Sequence, residues 1–570
     1  MRRRSRLLLT LSWSLFFALL TPIQSLGQTP SSPPTQQSEP RWVLPPLPPL
    51  SPEEQRRFPG PRVFVKKLIV TGSTAFSKEQ LDEVTDPYVN REVTCEELES
   101  LRLALTQLYV QAGYINSGAV LQDQEVQDGT IRFHIIEGEL TDVVITENKR
   151  FRTHYLRSRL TLDVTKPLNI HTLQQRLQRL QQDDRIQRLQ AELRPGIQRG
   201  ESELHVRVKE AVPYTVSAAF NNYQAASIGE ERGQLTVGHR NLTGRGDVLS
   251  LTASKSEGSE LQLDASYTLP FNARETSLGL RYRRNVSSVI EEPFASVFDI
   301  KSLSEIFSVT LRAPLYRTLQ REFALSVSGE RLHSETSLEA AGFSFPIGPN
   351  DGESTITALR LTTEWVDRMS NQVLALRSRF SFGLNALGAT ITPDTANDNT
   401  IPSGRFAAWL GQFQVGRRLN TRQIELLFRF DIQLTTEPLF TLEQIAIGGR
   451  FSVRGYRENQ MVRDNGAVVS LESRVPLIRN RRWAEYIQLV PFADVGWGWQ
   501  TRGDTPSPKN LASVGLGLRW AGRWMPSWAL SAPLQSEFEI FWGYQIKDVM
   551  NTGDTLQDHG LHLQLAVTLF

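Results

Sequence analysis

Few residue groups in this 570-residue chain combine types and spacings that do chemistry, and the clearest is electrostatic. Val453-Arg454-Gly455-Tyr456 breaks into a region that otherwise alternates like a membrane strand. An arginine set among apolar residues needs a carboxylate, because an unpaired buried charge is expensive. Asp494 stands between Phe492 and Gly496 in "PFADVGWGW", a run otherwise built of apolar and glycine residues. Arg454 and Asp494 are therefore the candidate ion pair, and Gly455, Gly496 and Gly498 permit close backbone approach around it. Other chemistries find no support. The 8 histidines are scattered at no metal spacing, and His134 and His205 read as surface or satisfied residues. Cys95 is the single cysteine, so neither an intrachain disulfide nor a thiolate cluster can form. No nucleotide-binding or triad motif is present, and the sequence offers no catalytic residue, no metal site and no cofactor.

The pair must be positioned by strands. Beyond Val212 a period of two replaces the helical period. In "SELQLDASYTLP", Leu261, Leu263, Ala265, Tyr267 and Leu269 share one face, while Gln262, Asp264, Ser266 and Thr268 share the other. "QIELLFRFDIQL" alternates in the same way. A soluble sandwich would also alternate, but segments of about ten residues joined by alternately short and long polar connections mark a transmembrane barrel. Sixteen such segments can be counted, from one beginning near Tyr214 to one beginning near Leu561. An even number lets an antiparallel barrel close without a free edge. Arginine facing lipid costs about 2–4 kcal/mol at mid-bilayer, so the polar phase faces inward. Arg281, Arg283, Arg312, Arg377, Arg379 and Arg429 belong to that phase and predict a wet, basic lumen that prefers anions. The connection after the eleventh segment, about residues 436–466, is long for a turn and carries Phe440, Ile445, Ile447, Phe451 and Val453. A loop so apolar packs against something, and the lumen is the nearest shelter.

Ahead of the barrel lie two α+β units. "VFVKKLIVTG" reads as a strand, and Leu98, Leu101, Leu105 and Leu108 recur at helical spacing behind a Thr94–Glu97 capping box, with Gly113 placed to stop the helix. "SGAVLQDQEVQDG" and "TIRFHIIEGEL" then read as two strands. The same order returns in "LTDVVITEN", a helix bearing Leu173, Leu177 and Leu180, a short run at Leu189 to Leu193, and "SELHVRVKE". Residues 62–139 and 140–212 are the expected boundaries. Arg2, Arg3, Arg4 and Arg6 before "LLLTLSWSLFFALL" mark residues 1–27 as a secretory signal, the apolar run being too short to span a bilayer. Residues 28–61 form a proline-rich linker in which only a turn around residues 53–57 has helical character. A net charge of +2 argues against a nucleic-acid partner.

"QLYVQAGYINSGAVLQDQEVQDGTIRFHIIEGEL" resembles the POTRA domains that precede certain outer-membrane barrels. "VRGY", "ENQMVRDNG", "VVSLESRVPL", "FADVG", "SVGLGLRW" and "HRNLTGRGDVLSL" resemble the barrel of the two-partner (type V) secretion transporters, the haemolysin-activator ShlB/FhaC/HecB type within the BamA-like superfamily. The resemblance implies a mainly β chain: a 16-stranded transmembrane antiparallel β-barrel, residues 213–570, preceded by two periplasmic POTRA domains. It implies that the sixth loop folds into the barrel and that Arg454 pairs with Asp494. It further implies residence in the cell outer membrane of a Gram-negative-type bacterium. The partners implied are a secreted passenger polypeptide, outer-membrane lipid and the barrel assembly machinery. An insertase that assembles other barrels shares the loop motif and is the alternative. The last run, "LHLQLAVTLF", alternates out of phase with Phe570, a departure from the barrel-ending pattern that assembly machineries read.

Overall fold

A computed structural model describes residues 62–292, 295, 300–338, 352–392, 400–419, 423–525, 533–551 and 553–569. The expected signal, linker, residues 53–57 and Phe570 lie outside the described residues.

The first α+β unit is a three-stranded sheet in the order Lys67–Thr71, Thr130–Ile136, Gly118–Leu121, the first pair parallel and the second antiparallel. Two helices cover it, Lys78–Thr85 and Cys95–Gln111. The longer helix starts at a capping box, where the Thr94 hydroxyl accepts from Glu97 N–H and the Glu97 carboxylate accepts from Thr94 N–H. Its apolar stripe, Leu98, Leu101, Leu105 and Tyr109, buries against Ile131, Phe133 and Ile135 of the sheet. The strand expected over "SGAVLQDQEVQDG" stops at Leu121. Beyond it the Gln124 side chain does a strand's work, donating to the Arg132 carbonyl at 2.9 Å and accepting from the Arg132 N–H at 2.8 Å. Polar residues with no apolar phase cannot be told from a strand edge by pattern alone.

The second unit repeats the plan: Glu139–Thr146 runs parallel to Glu201–Glu210, which pairs antiparallel with Ile186–Pro195. Helices Thr153–Leu160 and Ile170–Gln181 close its core around Leu156, Leu160, Leu173 and Val206. The two units dock through backbone: Leu168 N–H donates to Gly138 O at 2.7 Å and Ile170 N–H to Gly113 O at 2.9 Å.

The remainder is one closed barrel of sixteen antiparallel strands, from Tyr214–Asn221 to Leu561–Leu569. The first and last strands close it over the register Gln564↔Asn221 to Leu569↔Val216. The Asn222 amide extends that seam, donating to Leu561 O and accepting from Leu563 N–H. The sixth to eighth strands, Ile300–Arg317, Arg321–Leu338 and Glu353–Arg368, outrun their apolar segments. Their ends are polar on both faces, as at Lys301, Ser302, His333 and Ser334, so the period of two does not mark them. Leu263, Leu280, Phe307, Val327, Leu376, Leu471 and Leu516 are all exposed on the outer wall, the band a bilayer covers.

The short turns rest on the second unit. Arg152 N–H donates to Gly244 O at 2.9 Å, the Arg185 guanidinium reaches Gly246 O, and Arg240 pairs with Asp184 at 2.5 Å. The turn is itself preorganised: Asp247 accepts from Thr243 N–H at 2.9 Å, and the Asn241 side chain accepts from Gly246 N–H at 2.9 Å. A Cβ at Gly246 would lie 2.2 Å from the Tyr155 hydroxyl, so "NLTGRGD" is a docking turn as well as a strand connection.

Candidate functional site: a loop pinned inside the barrel

The connection between the eleventh strand, Ile424–Thr435, and the twelfth, Asn465–Arg481, turns back into the lumen. A small ribbon, Ile445–Ile447 with Met461–Arg463, stiffens it. Ile445, Ile447, Val453, Tyr456 and Met461 form an apolar core with Val468 and Leu511 of the wall. Their burial explains why a connection this long carries so many apolar residues.

Arg454 stands at the tip, 2 % exposed, and Asp494 opposite it is fully buried. The Arg454 Nε donates to Asp494 Oδ2 at 2.7 Å and Nη2 to Oδ1 at 2.9 Å, a bidentate pair. The Arg454 backbone N–H adds a third bond to Oδ2 at 3.1 Å. The remaining guanidinium nitrogen goes to Glu472 Oε2 at 2.6 Å, and Ser470 bridges by accepting from Nη2 and donating to Asp494 Oδ1 at 2.6 Å. The plane of the guanidinium covers the Phe492 ring, 3.8 Å from its centroid. Asp494 projects inward because the thirteenth strand, Ala484–Trp499, alternates, and its partner across the ladder is Ser470.

The neighbouring motif residues make contact as well. Gly455 has φ +89°, and a Cβ there would meet Gly543 O at 2.6 Å, so the loop backbone lies against the fifteenth strand, Leu534–Gln545. The Gly455 N–H donates to His562 Nε2 at 3.2 Å, and its carbonyl accepts from Gln545 at 2.6 Å. Tyr456 donates through its hydroxyl between the Ala512 and Lys547 carbonyls, at 2.8 and 2.9 Å. Gly496 makes room for Ile447 and Val453, which a Cβ would meet at 2.5 and 2.9 Å.

Several anchors escaped sequence reasoning. Arg450 pairs with Glu539 at 3.1 Å, Arg457 with Asp558 at 2.5 Å and Glu291 at 2.6 Å, and Glu443 with Arg360 at 2.6 Å. Glu472 carried a usable signal, since "VVSLESRVPL" places it in the inward phase beside Ser470. For Glu539 and Glu291 no comparable signal exists, because only barrel closure brings them to the loop.

The six polar-phase arginines face inward but do not make a uniformly basic surface. Arg281 and Arg283 share Asp264 at 2.5 and 2.8 Å. Arg312 bonds Glu322 and Glu364 at 2.7 and 3.0 Å, with Arg377 3.9 Å from Glu364. Arg429 lies 3.3 Å from Asp431, and Arg379 stands among Arg360 and Arg377 as well as Glu330 and Glu443. The expected basic lumen is thus corrected to a lattice of both signs, because carboxylates also seek the one polar space inside a membrane barrel.

Comparison with known proteins accords with this geometry. Residues 200–520 match the family model described as haemolysin secretion/activation protein ShlB/FhaC/HecB, and residues 63–138 match the ShlB-type POTRA domain. The outer membrane transporter CdiB of Dickeya dadantii is 23 % identical over 511 residues, 85 % of this chain and 86 % of the relative. The hemolysin transporter protein ShlB of Serratia marcescens is 23 % identical over 383 residues, 66 % of this chain and 65 % of the relative. The solved structure of CdiB from Escherichia coli superposes with a TM-score of 0.65 at 20 % identity, covering 89 % of this chain and 91 % of that one. The chain belongs to the ShlB/FhaC/HecB family of outer-membrane secretion transporters, a sixteen-stranded barrel in the outer membrane with POTRA structure on its periplasmic side.

Proposed function

We propose that this transporter exports an unfolded partner polypeptide, which pairs with the edge of a POTRA sheet, enters the barrel and folds outside. The observation that carries the reading is the strand Ile186–Pro195, one of the two edges of the second unit's sheet and the one beside the turn contacts that hold it beneath the barrel. An edge of unpaired N–H and C=O groups recruits an extended chain with little sequence demand. Folding on the outer side supplies the pull. Arg454 and Asp494 serve to keep the loop seated, and the lumen arginines offer the moving chain a hydrated, charged wall. The units bounded at residues 62–139 and 140–212 both act as POTRA domains in this scheme.

The decisive experiment deletes the gene and compares culture media. Loss of one large secreted polypeptide, restored by the intact chain, is the expected result. A general loss of outer-membrane barrels instead would establish the insertase reading. A fragment spanning 62–212 should also bind the N-terminal part of the missing polypeptide.

A further inference from the structure

The outer wall carries a groove of about 610 Å³, within the range of about 300–1,000 Å³ that holds small ligands. It lies where the ninth to thirteenth strands end on the side away from the POTRA units, which is the extracellular rim. Phe380, Phe382, Leu434 and Trp499 stand around Ala407, and all are in the lipid-facing phase of their strands. Its origin is one side chain. Trp409 pairs with Phe380 across the ladder, but its indole is laid along the strand toward the membrane centre. There Nε1 donates to Ser378 Oγ at 2.9 Å, and the ring covers Gly411, where a Cβ would come within 2.8 Å of it. The next outward position toward the rim is an alanine, so a hollow remains where the wall would otherwise be filled.

The floor and walls are apolar and the lip is polar. Asn465 fixes that lip, accepting from Thr435 N–H at 2.7 Å and donating to Thr501 Oγ1 at 2.8 Å. Arg405, exposed and two residues beyond Ala407, lies on the outward side, since Phe406 between them is buried inward. Arg502 adjoins the lip and is paired with Glu437 at 2.9 Å. A hollow in a membrane wall loses dispersion contacts unless hydrocarbon fills it. A cation at the depth of the lipid headgroups attracts a phosphate.

We propose that this groove binds one acyl chain of a phosphorylated glycolipid of the outer leaflet, with Arg405 at the phosphate. The glycolipid is favoured over a phospholipid by position: the groove lies at the extracellular rim, where the outer membrane presents glycolipid. The inference rests on the outer-membrane placement and not on the export scheme.

The test is native mass spectrometry of the full-length protein in detergent, incubated with lipid A or with phosphatidylglycerol. One retained lipid A is expected, with about a tenfold preference over phosphatidylglycerol. Ala407→Trp, which fills the hollow, should abolish retention. Arg405→Gln, at an exposed site that leaves the barrel intact, should weaken it about tenfold, and it decides the matter if Ala407→Trp does not insert. Equal retention of both lipids, or undiminished lipid A on Arg405→Gln, would overturn the proposal.

Discussion

The two sides of the lumen are built on opposite principles. The wall of the twelfth to fifteenth strands is glycine-rich where the loop touches it: Gly466, Gly496, Gly498 and Gly543 each lie so close to loop atoms that a Cβ would come within 3.0 Å of one. There the loop packs nearly dry, and its charges are consumed by the wall, Arg454 by Asp494 and Glu472 and Arg450 by Glu539. The wall of the fourth to ninth strands instead bears long charged side chains in partly exposed clusters, such as Arg281 and Arg283 on Asp264 and Arg312 between Glu322 and Glu364. A dry, close-packed wall holds a segment in one place, because charges and voids there are costly. The mixed-sign wall touches the loop at its base, through Glu443 on Arg360 and through Leu439 and Phe440 against Leu332 and Ile356. The loop tip is seated on the glycine-rich side, and the more polar path is on the other.

The comparison breaks most visibly at the tip. Arg454→Ala and Asp494→Ala should each cost about 3–5 kcal/mol of loop seating, since either leaves a buried charge without its partner. Heat-modifiability on gels should still show an inserted barrel, while secretion falls severely. The double variant should be little worse than either single one, because the two residues act as a unit. Additive defects, or full activity of one single variant, would place the pair among ordinary surface contacts.

A steric test follows on the same wall. Gly496→Val should displace Ile447 and Val453, and overpacking of this kind costs about 1–3 kcal/mol. Limited proteolysis from the outside should then cut within residues 436–464 in the variant and spare the parent.

On the charged wall the same operation should do little. Arg312→Ala removes a partner of two partly exposed carboxylates, for which a loss of about 0–1 kcal/mol is expected. Secretion should persist, and planar-bilayer recordings should show selectivity moving toward cations. A secretion defect as deep as that of Arg454→Ala would erase the distinction between the walls.

The smallest effect sharpens the contrast between arginine and neutral donors as carboxylate partners. In the first POTRA unit Glu137 is buried and accepts from Thr74 N–H at 2.6 Å, Ala75 N–H at 2.9 Å, the Thr74 hydroxyl at 2.5 Å and the Tyr109 hydroxyl at 3.1 Å. Burial pushes its carboxyl up, but these donors outweigh it and hold it below the usual carboxylate range, while burial pushes the Tyr109 phenol up to about 12. A depressed folded value means that the stabilisation is present above the unfolded value of about 4.3 and is lost as pH falls through the folded one. The thermal unfolding temperature of the POTRA part should therefore fall on acidification below pH ~4, and Glu137→Gln should flatten that dependence.

Much of this arrangement was legible before any coordinates. Side-chain alternation is local, so the sixteen strands and the inward phase of Arg281 or Asp494 follow from a period of two, and the Thr94–Glu97 cap from four consecutive residues. An apolar loop carrying an arginine, with an aspartate alone in an apolar strand, was enough to nominate Arg454 and Asp494. Tertiary structure alone decided the rest. Glu472, Ser470, Phe492, Gly543 and His562 reach one loop tip because register and closure bring distant strands together, and neither is written in any single segment. The lumen's sign was decided the same way, since an arginine's phase says where it points but not which carboxylate faces it. The groove at Ala407 depended on a rotamer, the tilt of Trp409 over Gly411, and a side chain's choice among staggered wells is made by its neighbours in space.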